Sequence, residues 1–428
     1  MTINPELKAK MMKYRWAIFI ILAIAYFFVY FHRVSTTAMA PDIEEAFGIG
    51  AAATGLLASA YFYAYTAMQL PSGIFTDKWG PKRSATVFII ITAIGSLICG
   101  LSTSYEMLIA GRVIIGVGVA VIYIPIMRVL ALWFRKDEFA SLSGILLMVG
   151  NVGAIAAATP LVLMTEALGW QNVFILLAVI TFIIGLMCWV IVKDHPKDKG
   201  FPSIEEVESE ETGKPIGEST SEKIPMVQSL KLTFGSGRKF WTLAIWFFFM
   251  YGSIMVYQGL QAGAYYTNVY DWDKGTWGIL LTLVGVGMII GCPLAGFISD
   301  KILHSRKKVL VLGTLIYTII WAVIWLMSGK LDSLVAQGII NFCFGFFGGF
   351  FVVSYAQVKE LYPVSIVGVS TAALNLFPFL GGAILQSISG YIVADKTPEQ
   401  FQTLWLIMFI CMVIATICAF FSMEKQKT

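Results

Sequence analysis

Uncharged apolar stretches of about twenty residues, each long enough to cross a bilayer as a helix, recur along almost the whole chain. Twelve spans are read at roughly 16–39, 52–75, 84–103, 107–132, 139–164, 168–192, 240–262, 277–298, 309–328, 333–357, 364–392 and 401–422. A chain that is 58% hydrophobic and only 13% charged cannot cover a soluble surface, for which about 25% charge is usual. The expected fold class is an all-α, multi-pass membrane protein embedded in the lipid bilayer.

Lysine and arginine set the orientation. With both termini cytoplasmic, the inner segments hold 24 of these residues and the outer loops three: Lys274, Lys330 and Lys396. Arg33, Arg112 and Arg128 fall inside spans, which completes the 30. Such an excess on one side follows the positive-inside rule, and an even span count preserves it. The net charge of +4 is therefore a matter of topology and implies no nucleic-acid partner. The six cysteines lie in apolar spans without metal-ligand spacing, so neither metal nor cofactor is expected.

Between Lys193 and Lys239 the composition turns to charge, Pro, Gly and Ser, as expected of a cytoplasmic linker that buries no core. The division is then a six-helix bundle over 1–192, a linker over 193–239 and a second bundle over 240–428. The halves repeat: Gly55, Gly73, Asp77, Lys78 and Arg83 return 223 residues later as Gly278, Gly296, Asp300, Lys301 and Arg306. Parallel six-helix repeats with a site between them are a transporter architecture.

The stretch GIFTDKWGPKRS, Gly73 to Ser84, resembles the helix 2–3 loop signature of the major facilitator superfamily. GFISDKILHSRKK, Gly296 to Lys308, is a degenerate second copy. GRVIIGVG, Gly111 to Gly118, and GNVGAIAAATP, Gly150 to Pro160, resemble the family's helix-4 and helix-5 motifs. The resemblance implies alternating access by a secondary transporter. It also makes Gly73, Asp77, Gly80, Lys82, Arg83, Asp300 and Arg306 a conformational latch, and gives Arg112, with Gly116, a bonding role toward helix 1. On charge alone, Asp77 is expected to face the basic turn at Lys82 and Arg83, as a latch or as a simple loop cap. Gly73, Gly116, Gly118, Gly150 and Gly153 are expected to let helices approach closely.

No aspartate or glutamate lies within the interior of a span, although Arg33, Arg112, Arg128 and His32 do. An arginine in a membrane helix costs about 2.5–3.5 kcal/mol on insertion scales and usually faces a cavity or a partner. The balancing group is either backbone and polar side chains or an anion. Arg112 and Arg128, sixteen residues apart, differ by about 160° in azimuth, so an unbent helix cannot aim both into one cavity. Arg128 either snorkels to the cytoplasmic surface or reaches substrate. His32 titrates near neutral pH when unperturbed and is the candidate proton site.

In helix 7, Gln258, Gln261 and Tyr265 fall at i, i+3 and i+7 and are expected to share one face as substrate contacts, with Asn341 from helix 10. Arg33, eight residues before Pro41, resembles the membrane arginine of the superfamily's organic-anion and organophosphate branch. That resemblance implies a small anionic or carboxylate-bearing solute moved by proton symport or anion exchange, with a neutral or zwitterionic nutrient as the alternative. The expected location is a bacterial inner membrane and the expected working unit a monomer. Cationic-drug efflux lacks an acid in the spans, and enzymatic chemistry lacks a nucleophile–base pair or clustered histidines.

Overall fold

A computed structural model describes residues 4–212 and 225–424; linker residues 213–224 lie outside it. Seventeen α-helices and no strands occur among the described residues. They are α1 (Pro5–Phe47), α2 (Ala51–Trp79), α3 (Pro81–Gly100), α4 (Tyr105–Trp133), α5 (Lys136–Ala156), α6 (Thr159–Leu168), α7 (Trp170–Ile191), α8 (Ile204–Thr212) and α9 (Met226–Phe234). There follow α10 (Arg238–Val256), α11 (Ala262–Tyr270), α12 (Lys274–Phe297), α13 (Arg306–Met327), α14 (Leu334–Gly348), α15 (Val353–Leu361), α16 (Val364–Ile392) and α17 (Pro398–Phe421).

Ten of the described helices or helix pairs are long and apolar enough to cross a membrane. Taken together, α5 and α6, bent by 43° where the helix breaks at Ala157 and Ala158, are an eleventh candidate by length and composition. The remaining expected span is α2, 29 residues long but outside that set, because Tyr61, Tyr63, Tyr65, Thr66 and Gln69 dilute its apolar character. Leucines, isoleucines and valines left exposed along the helices, Val190 and Val335 among them, are suited to lipid.

Packing divides the chain across the sequence repeat. One unit comprises 1–32, 67–153 and 171–220; the other comprises 33–66, 154–170 and 221–428. In the first unit α3 lies on α4, and a Cβ on Gly118 would stand 2.7 Å from the Phe88 carbonyl oxygen. Gly153 approaches the Phe27 carbonyl more closely still, at 2.2 Å. In the second unit α12 packs on α14 and α10 on α16. There Gly345 meets the Val284 carbonyl and Gly381 that of Phe248, at 1.9 and 2.1 Å for an added Cβ. Small residues at these crossings bring backbones together where the lipid supplies no hydrophobic drive. Gly73 is a correction: nothing lies within 4 Å of its would-be Cβ, so it packs against no neighbour.

Helix 7 is not one regular helix. A π-helical turn, Tyr257–Gln261, joins α10 to α11. A second π turn, Ile298–Ile302, ends α12, and a 3-10 turn, Gly349–Val352, separates α14 from α15. The first of these corrects the expectation that Gln258, Gln261 and Tyr265 share a face, since an inserted residue rotates everything beyond it.

Candidate functional site

In the second unit Arg33 leaves the axis of α1 with 4% of its surface exposed. Its Nη1 donates to the Tyr251 hydroxyl of α10 at 2.9 Å. The guanidinium carbon lies 5.4 Å from the Tyr65 ring centre and 5.0 Å from that of Phe379. Those two rings are themselves 4.1 Å apart, and Tyr251 meets Phe379 edge-on at 5.6 Å. Cation–π contact at this range stabilises a desolvated guanidinium by about 2 kcal/mol and fixes the plane of its fork. A planar guanidinium has five N–H donors and binds a carboxylate or phosphate through two of them at once.

A small cavity of ≈ 10 Å³ opens a short way along α1, lined by Val34 and Ala38, by Ala154, Ala157 and Ala158 at the α5–α6 break, and by Gln258, Trp277 and Leu281. Gln258 is the sequence-predicted residue that lines it. Gln261 instead donates from Nε2 to Ser389 Oγ at 3.0 Å. The Tyr265 hydroxyl lies 3.3 Å from that of Tyr270. Asn341 Nδ2 donates to the Tyr266 hydroxyl at 2.7 Å, and its Oδ1 accepts from Tyr257 at 3.3 Å. Tyr265 and Asn341 are joined through Tyr270, Gln337 and Tyr266 in one polar network within the C-terminal helices, Gln261 is bonded apart from it, and none of the three is among the residues lining the cavity.

In the first unit His32 is fully buried, and its backbone carbonyl accepts a 3.0 Å hydrogen bond from Arg112 Nη1. Arg112 is 1% exposed, whereas Arg128 side-chain exposure is 54%. The two arginines of α4 thus occupy different environments, in keeping with their azimuths. Gly116 is buried in the same helix.

Arg128 Nη1 lies 3.6 Å from Asp77 Oδ1. The expected pairing of Asp77 with Lys82 and Arg83 is thereby corrected, because α2 runs on to Trp79 and carries Asp77 toward α4. Gly80 makes the turn with φ 80°, and the acid at that turn is Asp194, which accepts from the Lys82 amide at 2.7 Å. A Cβ on Gly80 would stand 2.7 Å from that carboxylate. Lys82 Nζ sits 4.3 Å over the Trp189 ring, and Arg83 is exposed. In the second copy Arg306 pairs with Asp300 and, through Nε at 2.9 Å, with Glu360. Glu424 accepts from Ser305 Oγ at 2.7 Å and from the Arg306 amide. Each third helix of a half is therefore capped by an acid from the chain after the sixth. Sequence reasoning missed the correspondence because Asp194 and Glu424 lie 230 residues apart, off the 223-residue repeat.

Two further sets of ion pairs emerge. At the end of α1, Lys274 Nζ donates to both carboxylate oxygens of Asp42 at 2.8 and 2.9 Å. Lys396 pairs with Glu44, which also accepts from Thr54 Oγ1 at 2.7 Å. Near the linker, α8 buries Ile204 and Val207, which corrects the reading of a linker without buried side chains. Its Glu211 pairs with Lys8 at 2.9 Å and with Arg135 at 2.6 Å. Arg15 forms a bidentate pair with Glu138 at 2.7 and 2.8 Å. Hydrogen bonding from Lys8 holds the Glu211 carboxyl below its ordinary range despite some desolvation. For Glu138, burial acts upward but the bonds from Arg15 and the Arg135 amide outweigh it and lower the value.

Comparison with known proteins follows the same lines. A family model described as Major Facilitator Superfamily matches residues 22–384 and 258–428. A "Probable hexose phosphate transport protein" of Chlamydia trachomatis is 25% identical over 97% of this chain and 92% of its own length. A D-galactonate transporter of Escherichia coli O6:H1 is 26% identical over 91% of each chain. The fold is similar to that of a bacterial homolog to the human lysosomal transporter Spinster. That match has a TM-score of 0.76 at 17% identity and covers 95% of this chain and 96% of the other.

Proposed function

The chain belongs to the Major Facilitator Superfamily, and on that premise we propose that it moves a small hydroxylated organic anion, a sugar acid or sugar phosphate, by alternating access. The observation that carries this reading is the Arg33 guanidinium, buried, bonded to Tyr251 and bracketed by Tyr65 and Phe379. A cation held in that way presents a fixed fork to an anion. The names of the relatives, a hexose phosphate transport protein and a D-galactonate transporter, support the same ligand class.

Gln258 stands at the neutral end of the substrate, and Arg128 meets anions arriving at the cytoplasmic side. Both termini are cytoplasmic, a reading supported by the distribution of lysine and arginine, and the membrane is the bacterial inner membrane, in keeping with the bacterial relatives. The halves 1–192 and 240–428 rock against one another. Asp77 with Arg128, and Arg306 with Asp300 and Glu360, act as latches that part during the cycle. Transport runs by proton symport, with His32 as the proton site, or by anion exchange; uptake with and without a pH gradient separates the two.

Thermal unfolding of the purified protein against hexonates, hexarates, hexose 6-phosphates and neutral sugars tests the reading. A ligand that binds only the folded state raises the transition by mass action. Stabilisation by the anions and not by the matching neutral sugars is expected. The reverse order refutes the proposal.

A further inference from the structure

Among the residues lining the cavity beside Gln258 is one with a donor that nothing in the site so far uses. Trp277, at the start of α12, is wholly buried and lines it, and the indole Nε1–H meets no acceptor among the described residues. A buried donor without a partner is expensive and calls for an acceptor that comes and goes, or for a water. The space, ≈ 10 Å³, accommodates about one water-sized group. Its remaining lining is methyl and methylene: Val34, Ala38, three alanines at the α5–α6 break, and Leu281. Alanine at Ala154, Ala157 and Ala158 keeps the space open. Charge has no complement here, and an ionised ligand group does not fit such a lining.

Its position relative to Arg33 is set by two helices. Along α1, Ala38 is five residues beyond Arg33, about 7.5 Å of rise and about 140° in azimuth, and Val34 is about 100° from it. In helix 7, Tyr251, which holds Arg33, lies in α10, and Gln258, which lines the cavity, lies seven residues on in the π turn, about 10 Å of rise away. The anion fork and the cavity thus lie about 7.5–10 Å apart along helices 1 and 7, a span that one extended molecule several carbon–carbon bonds long can bridge.

We propose that this cavity is a hydroxyl subsite: a neutral oxygen on the carbon chain accepts from Trp277 Nε1 beside the Gln258 amide, while the acid group sits on Arg33. The subsite rests on the anion reading above and adds its selectivity. Arg33 recognises the acid, and Trp277 requires a hydroxyl at a fixed distance from it. A site built around a buried donor rejects a ligand that leaves the donor unmet.

The test compares D-galactonate, D-gluconate and glucose 6-phosphate with hexanoate, which has a carboxylate but no hydroxyls. Affinities are measured on purified wild type, Trp277→Phe and Ala38→Val. Trp277→Phe removes the N–H and keeps an aromatic ring; Ala38→Val fills the cavity from the opposite wall and leaves Trp277 in place. Wild type is expected to prefer at least one hydroxylated anion over hexanoate by about tenfold or more, the worth of one well-made buried hydrogen bond. Each variant is expected to lose that preference and to bind hexanoate as wild type does. Wild type binding hexanoate as tightly as the hydroxylated anions overturns the subsite and leaves the anion reading intact, the cavity then holding only water. Equal losses for all ligands in both variants likewise overturn it. Absence of binding by any anion removes the anion reading, and the subsite with it. Thermal unfolding of the ligand-free variants checks that each is folded, and because they alter opposite walls, either one suffices for the comparison.

Discussion

The two lysine–carboxylate pairs at the end of α1 make a prediction about the conformational cycle. Asp42 and Glu44 lie in the last turns of α1, while Lys274 begins α12 and Lys396 lies between α16 and α17. In the proposed orientation these pairs hold the outer end of helix 1 to the C-terminal helices. The side chains retain between 13% and 31% exposure, so solvent screens them in part, and each contributes about 1 kcal/mol. Asp42→Asn with Glu44→Gln keeps side-chain size, and the new amide can still accept from Thr54. The charge interaction is lost, about 2 kcal/mol in total, which shifts the closed-to-open equilibrium by about thirtyfold. Ser387 Oγ donates to Ser59 Oγ at 2.8 Å in the same unit as these pairs. A single cysteine at Ser387, in a background without the six native cysteines, reports opening through labelling by a membrane-impermeant maleimide. Labelling is expected to rise by tenfold or more in the double variant. In wild type 1 M salt is expected to raise it as well, because the screening length falls to about 3 Å, whereas the double variant is insensitive to salt. Because both acids share one helix end, the single variants can fall short of additivity. Labelling that is unchanged by the double substitution and by salt refutes the assignment of these pairs to the closed outer face.

Gly345→Ala and Gly381→Ala drive a methyl into the Val284 and Phe248 carbonyls, costing about 3 kcal/mol or more; folded yield and thermal unfolding are expected to fall. Gly368→Ala, with open space around it, is the control expected to behave as wild type. Acidification is expected to release α8. The Glu211 carboxyl of α8 is held below its ordinary 4.5 in the folded state, so its stabilisation is present above that value and is lost as pH falls through the lowered one. Hydrogen exchange of residues 204–212 reads this, and release on raising the pH instead contradicts the sign.

Much of the fold was legible because lipid leaves a helix few alternatives. The apolar runs, the basic excess on one face and the 223-residue echo of Gly55 through Arg83 follow from hydropathy and repetition. The hidden features depend on interactions without a sequence period. The π turn at Tyr257–Gln261 breaks the one-face pattern of helix 7, and no proline or glycine pair announces it. Arg33 stood out as a costly charge, yet Tyr251, Tyr65 and Phe379 are aromatic residues in an aromatic-rich chain, and only folding gathers them. Asp77 next to a basic turn suggested the wrong partner, since Asp194 reaches that turn from more than a hundred residues away. The linker's charge concealed α8, whose two buried apolar side chains are too few to mark composition.

Recognition of an anion by the fixed guanidinium fork of Arg33 is tested most directly by uptake assays of Arg33→Lys in proteoliposomes. Lysine keeps the charge but offers a single point in place of two parallel donors. With the reconstituted amount and thermal unfolding of the variant matched to wild type, uptake of an anion that stabilises the wild-type protein is expected to fall at least a hundredfold. Wild-type uptake by Arg33→Lys would contradict the account.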